Sequence, residues 1–290
     1  MLNSFFKLNG EFKRLESEDE FLELIRHADA LRDLEYRPNQ LRPDRPMNKF
    51  SGKKFTNISF AKTEFIGLEF SWCEFIDCLF IGTIFIDCEF HDCTFSGCNP
   101  HKVRFKGTYI DPICFSKMLS PTEHANIGTW LFQQLLRNSA ESRQPSFAQT
   151  AQYYFQKWKR YQLWYDYKQK NIPAYQFLKR WIPSLLYDHL AGYGIRILPL
   201  VRLTAGFLLF CTTFNHYAWR FFGIHSSSIK DLTPSVTKSI YYTVITVTTL
   251  GYGDLTPTSE FGMNTASVES LFGVVWLGLF ANTIIKRVTK

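Results

Sequence analysis

Few residues in this 290-residue chain have types and spacing that could do chemistry. Its seven Cys and seven His form no nucleophile–base or metal constellation, so an enzyme is not expected. One run stands apart: Thr248-Thr249-Leu250-Gly251-Tyr252-Gly253-Asp254. It carries two threonine hydroxyls and two glycines one residue apart. Glycine adopts backbone angles that other residues resist, so successive carbonyl oxygens can turn to one side. Such oxygens can replace the water around a cation. A second candidate is Glu269, a carboxylate inside an otherwise apolar stretch, which is a functional candidate by cost alone.

The elements that must position this run are legible on both sides of it. Ser235 to Val247 is a short helical stretch without Gly or Pro. Upstream, Leu203 to Trp219 has no charged residue, and extension across Arg202 to Ile197 gives about 23 residues, enough to span a bilayer. Arg202 can snorkel, and Tyr217, Trp219, Phe221 and Phe222 make an aromatic belt. A second span is expected from about Gly262 to Ile285, ending at Lys286, Arg287 and Lys290. Positive charge at the start of the first span and the end of the second puts both termini in the cytoplasm of a cell-membrane protein. The charged opening MLNSFFKLNGEFKRLESEDEF has no signal-peptide core and agrees with that orientation. A mean hydropathy of −0.14 allows one or two spans and excludes a chain made mostly of them.

Span, half-helix, TTLGYGD and span, in that order, resemble the pore loop of the potassium-channel family. The resemblance implies a re-entrant pore helix and a homotetramer in a lipid bilayer, each chain supplying a quarter of a ring. It implies K+ ions held by the carbonyls of Thr249, Leu250, Gly251 and Tyr252, with the Thr249 hydroxyl at the inner end. Gly253 completes the filter, Thr248 and Asp254 support it, and no organic cofactor is implied. Leu250 stands where Val is usual, and Tyr252 is expected to pack outward against the pore helix. A pore-helix Glu found in some members is replaced by Ile245, so Asp254 is expected to meet Tyr241 or Tyr242 instead. Glu269 has two readings: a hydrogen bond behind the filter, for instance to Thr246, or a solvated place near the outer interface. Gly273, 22 residues after Gly251, falls where the family places its gating hinge. Gly278 is a second flexible point or a close-packing contact. Helical stepping puts Val274, Leu277, Ala281 and Ile285 on one candidate cavity face, with an inner gate near Ala281 to Ile285 and with Asn282 as a further axial candidate.

The other half of the chain is periodic. From Phe50 to Phe95 every fifth residue is Phe, and the series continues through Phe105, Ile110 and Phe115. The residue two before is small: Cys73, Cys78, Thr83, Cys88, Cys93, Val103, Thr108. A period of five fits neither helix nor strand; it fits a coil with faces five residues long, stacked on its neighbours. The pattern resembles the pentapeptide-repeat family, which implies a right-handed quadrilateral β-helix of about three coils with both positions inward. The cysteines are then interior small residues rather than metal ligands.

Ser17-Glu18-Asp19-Glu20 reads as a capping box opening a helix over 17–35 that caps the first coil, with 37–46 as linker. Helical periodicity returns around Trp130 to Leu136, is broken by a polar loop from Asn138 to Pro145, and resumes from Phe147 to Lys168. A basic amphipathic segment from Tyr175 to Leu190 reads as an interfacial helix, joined to the first span through Ala191-Gly192-Tyr193-Gly194. The expected organisation is 1–49 helical cap and linker, 50–117 β-helix, 118–194 helical linker with interfacial helix, and 195–290 pore domain: a multidomain α and β chain. The net charge of +7, from 33 Lys and Arg against 26 Asp and Glu, is mild, and no nucleic-acid partner is expected. No voltage sensor is expected before the pore and no Gly-rich dinucleotide motif is seen, so regulation is expected from the N-terminal half, as scaffold or as signal, or from the membrane. A rival reading is a membrane-anchored binding module with a closed or vestigial pore, its surface the acidic flank of Glu64, Glu69, Glu74, Asp77, Asp87, Glu89 and Asp92. A non-selective channel would need a filter without Tyr252 or Gly253.

Overall fold

The five-residue period closes into a four-sided solenoid. The computed structural model describes residues 5–44, 47–226 and 231–288, and the chain divides into two compact units, Met1–Ser184 and Leu185–Lys290. In the first unit the strands are β1 (Lys13–Leu15), β2 (Ala30–Tyr36), β3 (Gln40–Leu41), β4 (Lys49–Ser51), β5 (Lys54–Ser59), β6 (Glu64–Ile66), β7 (Glu69–Ser71), β8 (Glu74–Ile76), β9 (Ile84–Ile86), β10 (Glu89–His91), β11 (Thr94–Ser96) and β12 (Arg104–Lys106). They stack as parallel ladders in the orders β1-β2-β5-β8-β11, β10-β7-β4 and β12-β9-β6-β3. A fourth face is stitched by the bridges Ser59↔Leu79 and Leu79↔Asn99. The register Lys54↔Glu74↔Thr94 sets one coil at 20 residues.

The corners explain the square section. Every fifth residue from Gly52 to Gly107, including Asn57, Trp72, Asp77, Asp87 and Asp92, has positive φ. This left-handed residue lies two after each Phe and turns the chain onto the next face; Asn, Asp and Gly tolerate it best. Between corners the Phe side chains point inward and stack coil on coil. Phe75 lies 4.9 Å from both Phe55 and Phe95, at interplanar angles of 12° and 8°. The small inward residues do more than fill space. Cys73, Cys78, Cys88, Cys93 and Cys98 each donate Sγ–H at 3.4 Å to the carbonyl 23 residues earlier. Thr83 and Thr108 do the same at 2.7 and 3.1 Å.

The solenoid begins before the Phe series, which corrects the expected N-terminal cap. Helix α1 is Glu18–His27, capped by Ser17 Oγ accepting from the Glu20 amide, and it ends well short of residue 35. Ala30–Tyr36 is instead strand β2, pairing with β5 from Ala30↔Lys54 to Glu35↔Ser59. Leu31 and Leu34, three apart, fit a helix locally; pairing with a full coil of the solenoid wins. The left-handed Asp33 and Asn57 sit side by side on these strands, and Asn57 Nδ2 donates to Asp33 Oδ1 at 2.6 Å. Likewise the expected linker 37–46 contains β3, paired with β6; its residues 45 and 46 lie outside the described residues.

The far end is closed by helix α2 (Ala125–Glu141) and helix α3 (Pro145–Lys168). The expected polar loop does not start at Asn138, which is buried within α2. Its amide exchanges both hydrogen bonds with the Thr108 backbone, accepting at 3.0 Å and donating at 2.7 Å. Trp130 Nε1 donates to the Val103 carbonyl at 3.0 Å. Together these satisfy ladder groups that an open solenoid end would leave unpaired. A Cβ at Gly128 would stand 2.2 Å from the Trp158 ring, so glycine there sets how closely α2 and α3 cross.

Helix α4 (Ala174–Ile195) carries Pro183 and leaves helical geometry at Gly192, Tyr193 and Gly194, all left-handed. The expected joint is thus a backbone break. The second unit holds α5 (Ile197–Phe222), α6 (Val236–Val247) and α7 (Glu260–Val288). Residues 197–222 and 260–282 are long and apolar enough to cross a membrane. A short antiparallel pair, β13 (Ile224–His225) with β14 (Thr256–Pro257), joins the ends of the intervening loop. Lys290 lies outside the described residues.

Candidate functional site

Helix α6 starts cleanly because Ser235 caps it, its Oγ accepting from the Lys238 amide at 3.3 Å. A small core of Ala218, Trp219, Phe222, Tyr242 and Leu255 packs the helix on α5, and its Val247 lies against Gly273 of α7. It ends at Thr248, whose Oγ1 donates back to the Val244 carbonyl at 2.6 Å.

The run that follows is held by the last carbonyls of α6. The Thr249 amide donates to Thr246 O at 3.1 Å, and the Gly251 amide to Ile245 O at 3.2 Å. Thr249, Gly251 and Gly253 have φ of 58°, 47° and 74°, and Leu250 and Tyr252 between them do not share that sign. A backbone that alternates in hand can turn successive carbonyls toward one side. No heavy atom beyond the chain neighbours stands within 4 Å of a Cβ built on Gly251 or Gly253, so these glycines answer to φ rather than crowding. Thr249 reaches the same region without being glycine, and its hydroxyl donates to Thr248 O at 2.7 Å. Its oxygen lone pairs remain free to accept.

Asp254 meets Tyr241, one of the two partners expected: the phenol donates to Oδ2 at 2.5 Å, and the Leu255 amide donates to Oδ1 at 3.0 Å. The expected packing of Tyr252 on the pore helix is not found within the chain. Its side chain is 67% exposed, and Leu250 is 57% exposed. One chain bends the run back on itself without walling it in.

Glu269 is buried at 6% exposure, which excludes the solvated reading. Its partner is not Thr246. Asn215 of α5 donates one amide group to Glu269 Oε2 at 3.2 Å and to Thr243 Oγ1 at 2.9 Å. Thr246 is engaged by the next residue instead: Ser270 Oγ donates to its carbonyl at 3.1 Å. One residue of difference matters here because adjacent positions on α7 point about 100° apart. Asn215 and Thr243 were not singled out by periodicity. The available signal was a polar amide within an uncharged span, which costs free energy unless it is paired.

Gly273 lies within continuous helix α7, and a Cβ there would stand 1.8 Å from the Val247 carbonyl oxygen. The close-packing contact considered for Gly278 therefore belongs to Gly273; Gly278 has nothing within 4 Å. Further along α7, Trp276 Nε1 donates to Thr204 Oγ1 of α5 at 2.7 Å. Val274, Leu277, Ala281, Asn282 and Ile285 are all exposed in the single chain. Among the described residues no group of three or more His, Cys, Asp or Glu side chains is arranged to hold a metal ion.

Comparison with known proteins agrees with this division. Residues 197–290 match the family model described as ion channel, and residues 73–109 match pentapeptide repeats in 8 copies. The A-type voltage-gated potassium channel KCND3 of Rattus norvegicus is 34% identical over 104 positions, covering 33% of this chain and 16% of that channel. Its counterparts in Oryctolagus cuniculus and Homo sapiens match to the same extent. The chain thus spans 16% of the length of these curated relatives. No solved structure matches. The chain thus joins a segment similar to pentapeptide repeats, residues 73–109, to a segment similar to the ion-channel family, residues 197–290.

Proposed function

We propose that the chain is one subunit of a potassium-selective channel that conducts K+ passively through Thr249, Leu250, Gly251, Tyr252 and Gly253. The observation that carries this reading is the alternating backbone hand over 249–253, directly after a helix wedged between two spans. Four such loops around one axis would line K+ with carbonyl oxygens in place of its water. A single chain leaves Leu250 and Tyr252 bare, and closed fourfold symmetry supplies the missing walls. The α6 carboxyl end adds a partial negative charge that favours a cation. Thr248 and Asp254 brace the loop from either end. Gly273, Glu269, Ala281 and Asn282 are the candidates for coupling α7 to the gate. Both termini lie in the cytoplasm of a cell-membrane channel in this reading, and the repeat segment serves assembly or gating.

The test is cation flux from liposomes reconstituted with the purified chain. Potassium-selective flux that barium blocks and Gly251→Asp abolishes is the expected result. A flux that does not distinguish sodium from potassium, or that survives Gly251→Asp, overturns the reading.

A further inference from the structure

We infer that Asn215 is a positioning residue for the ion filter: its amide ties α5 to both α6 and α7 and holds the filter backbone in its selective geometry. This inference rests on the channel reading above. The three residues of the junction lie on three different elements, and Asn215, Thr243 and Glu269 are 0%, 0% and 6% exposed. The Asn215 amide nitrogen spends its hydrogens on Thr243 Oγ1 at 2.9 Å and Glu269 Oε2 at 3.2 Å, while Oδ1 is buried with no protein partner. The residue is therefore there for its donors. A leucine would fill the same space with more apolar contact, and a buried polar group is retained at a cost unless its bonds do something.

What they do follows from where α6 leads. Thr243 lies one helical turn before Val247, and the filter amides of Thr249 and Gly251 hang from Thr246 O and Ile245 O. A small shift of α6 along its axis therefore moves the filter carbonyls with it. Packing already limits such a shift on the α7 side, where Ser270 holds the Thr246 carbonyl and Gly273 lies against Val247. Asn215 supplies the restraint from α5. On the same stretch of α5, His216 Nδ1 and Ser239 Oγ are 3.1 Å apart, so successive residues of the first span grip successive turns of α6. Selectivity between ions of similar charge depends on oxygen positions that a loosened helix cannot keep.

The experiment uses the full chain in liposomes, with K+ and Na+ flux measured separately and tetramer assembly checked by size exclusion in detergent. Asn215→Ala is expected to lower the K+ to Na+ flux ratio roughly tenfold, the scale of one lost buried hydrogen-bond set, with assembly retained. Asn215→Asp removes the donors and is expected to do the same. Adding Glu269→Gln to Asn215→Asp returns a donor from the opposite side and is expected to restore the ratio to within about twofold. If Asn215→Ala does not assemble, the comparison of the aspartate variant with its double variant decides alone. A wild-type ratio in Asn215→Ala, or a double variant no better than Asn215→Asp, overturns this inference and leaves the channel reading standing. A wild-type chain that passes neither ion overturns both.

Discussion

In the solenoid one hydrogen bond recurs coil after coil: an inward Cys or Thr gives its proton to the carbonyl 23 residues earlier. In the second unit the side-chain bonds that join one helix to another do not recur among the described residues. Asn215, Thr243 and Glu269 meet once, Tyr241 meets Asp254 once, and Trp276 meets Thr204 once. The difference teaches where a chain stores stability and where it stores function. A repeated contact is redundant, so its loss is shared among neighbouring coils. A unique buried contact has no substitute, and its loss falls on the geometry it alone maintains.

The largest expected effect on conduction is at the closest approach in the unique part. Gly273→Ala drives a methyl into the Val247 carbonyl, and since the obstacle is backbone, α6 or α7 must move. A cost of about 1–3 kcal/mol is expected, read as loss of K+ flux with reduced tetramer recovery. Normal flux in this variant would break the contrast, because the pore unit would then tolerate what a redundant core tolerates. Next is Phe75→Ala in the repeated part, which empties a position stacked on both sides. Roughly 3–5 kcal/mol of unfolding free energy should be lost, read by urea titration of the first unit, while the K+ to Na+ flux ratio stays at the wild-type value. A changed ratio would mean that the solenoid is no mere store of stability but is coupled to the filter.

The smallest effect concerns pH. Burial pushes the Cys88 thiol up to about 11 from an ordinary 9.0. The folded state therefore holds this proton more tightly than the unfolded chain does. The contribution is fully present below pH 9 and is lost as pH rises through 11, at most about 3 kcal/mol. Wild type should lose Tm more steeply than Cys88→Ala between pH 9 and 11. Parallel curves for the two proteins would mean that the interior thiols do not resist ionisation, against their place in the core.

Much of this was readable along the chain because it depends on neighbours in sequence. The Phe series from Phe50 needs only a period, and the span, half-helix and TTLGYGD order needs only local composition. Helix α6 was legible to the residue at Ser235 and Val247 because a cap and an apolar run define it. Where reading failed, a distant partner decided. Ala30–Tyr36 became a strand because β5 offers it a parallel edge. Asn138 stayed in helix because Thr108, thirty residues away, needs both of its hydrogen bonds.

The sequence by itself determined the two repeating physical facts of this protein: a five-residue period that must coil, and two apolar lengths that must leave water together with the oxygen-rich loop between them. Both follow from local chemistry, which a chain carries wherever it goes. Only the tertiary structure decided that Glu269 answers to Asn215 rather than Thr246, that Gly273 is small because Val247 passes against it, and that the turn of each coil falls two residues after each Phe. Those choices depend on distances across the fold, and a difference of one residue on a helix redirects a side chain by about 100°.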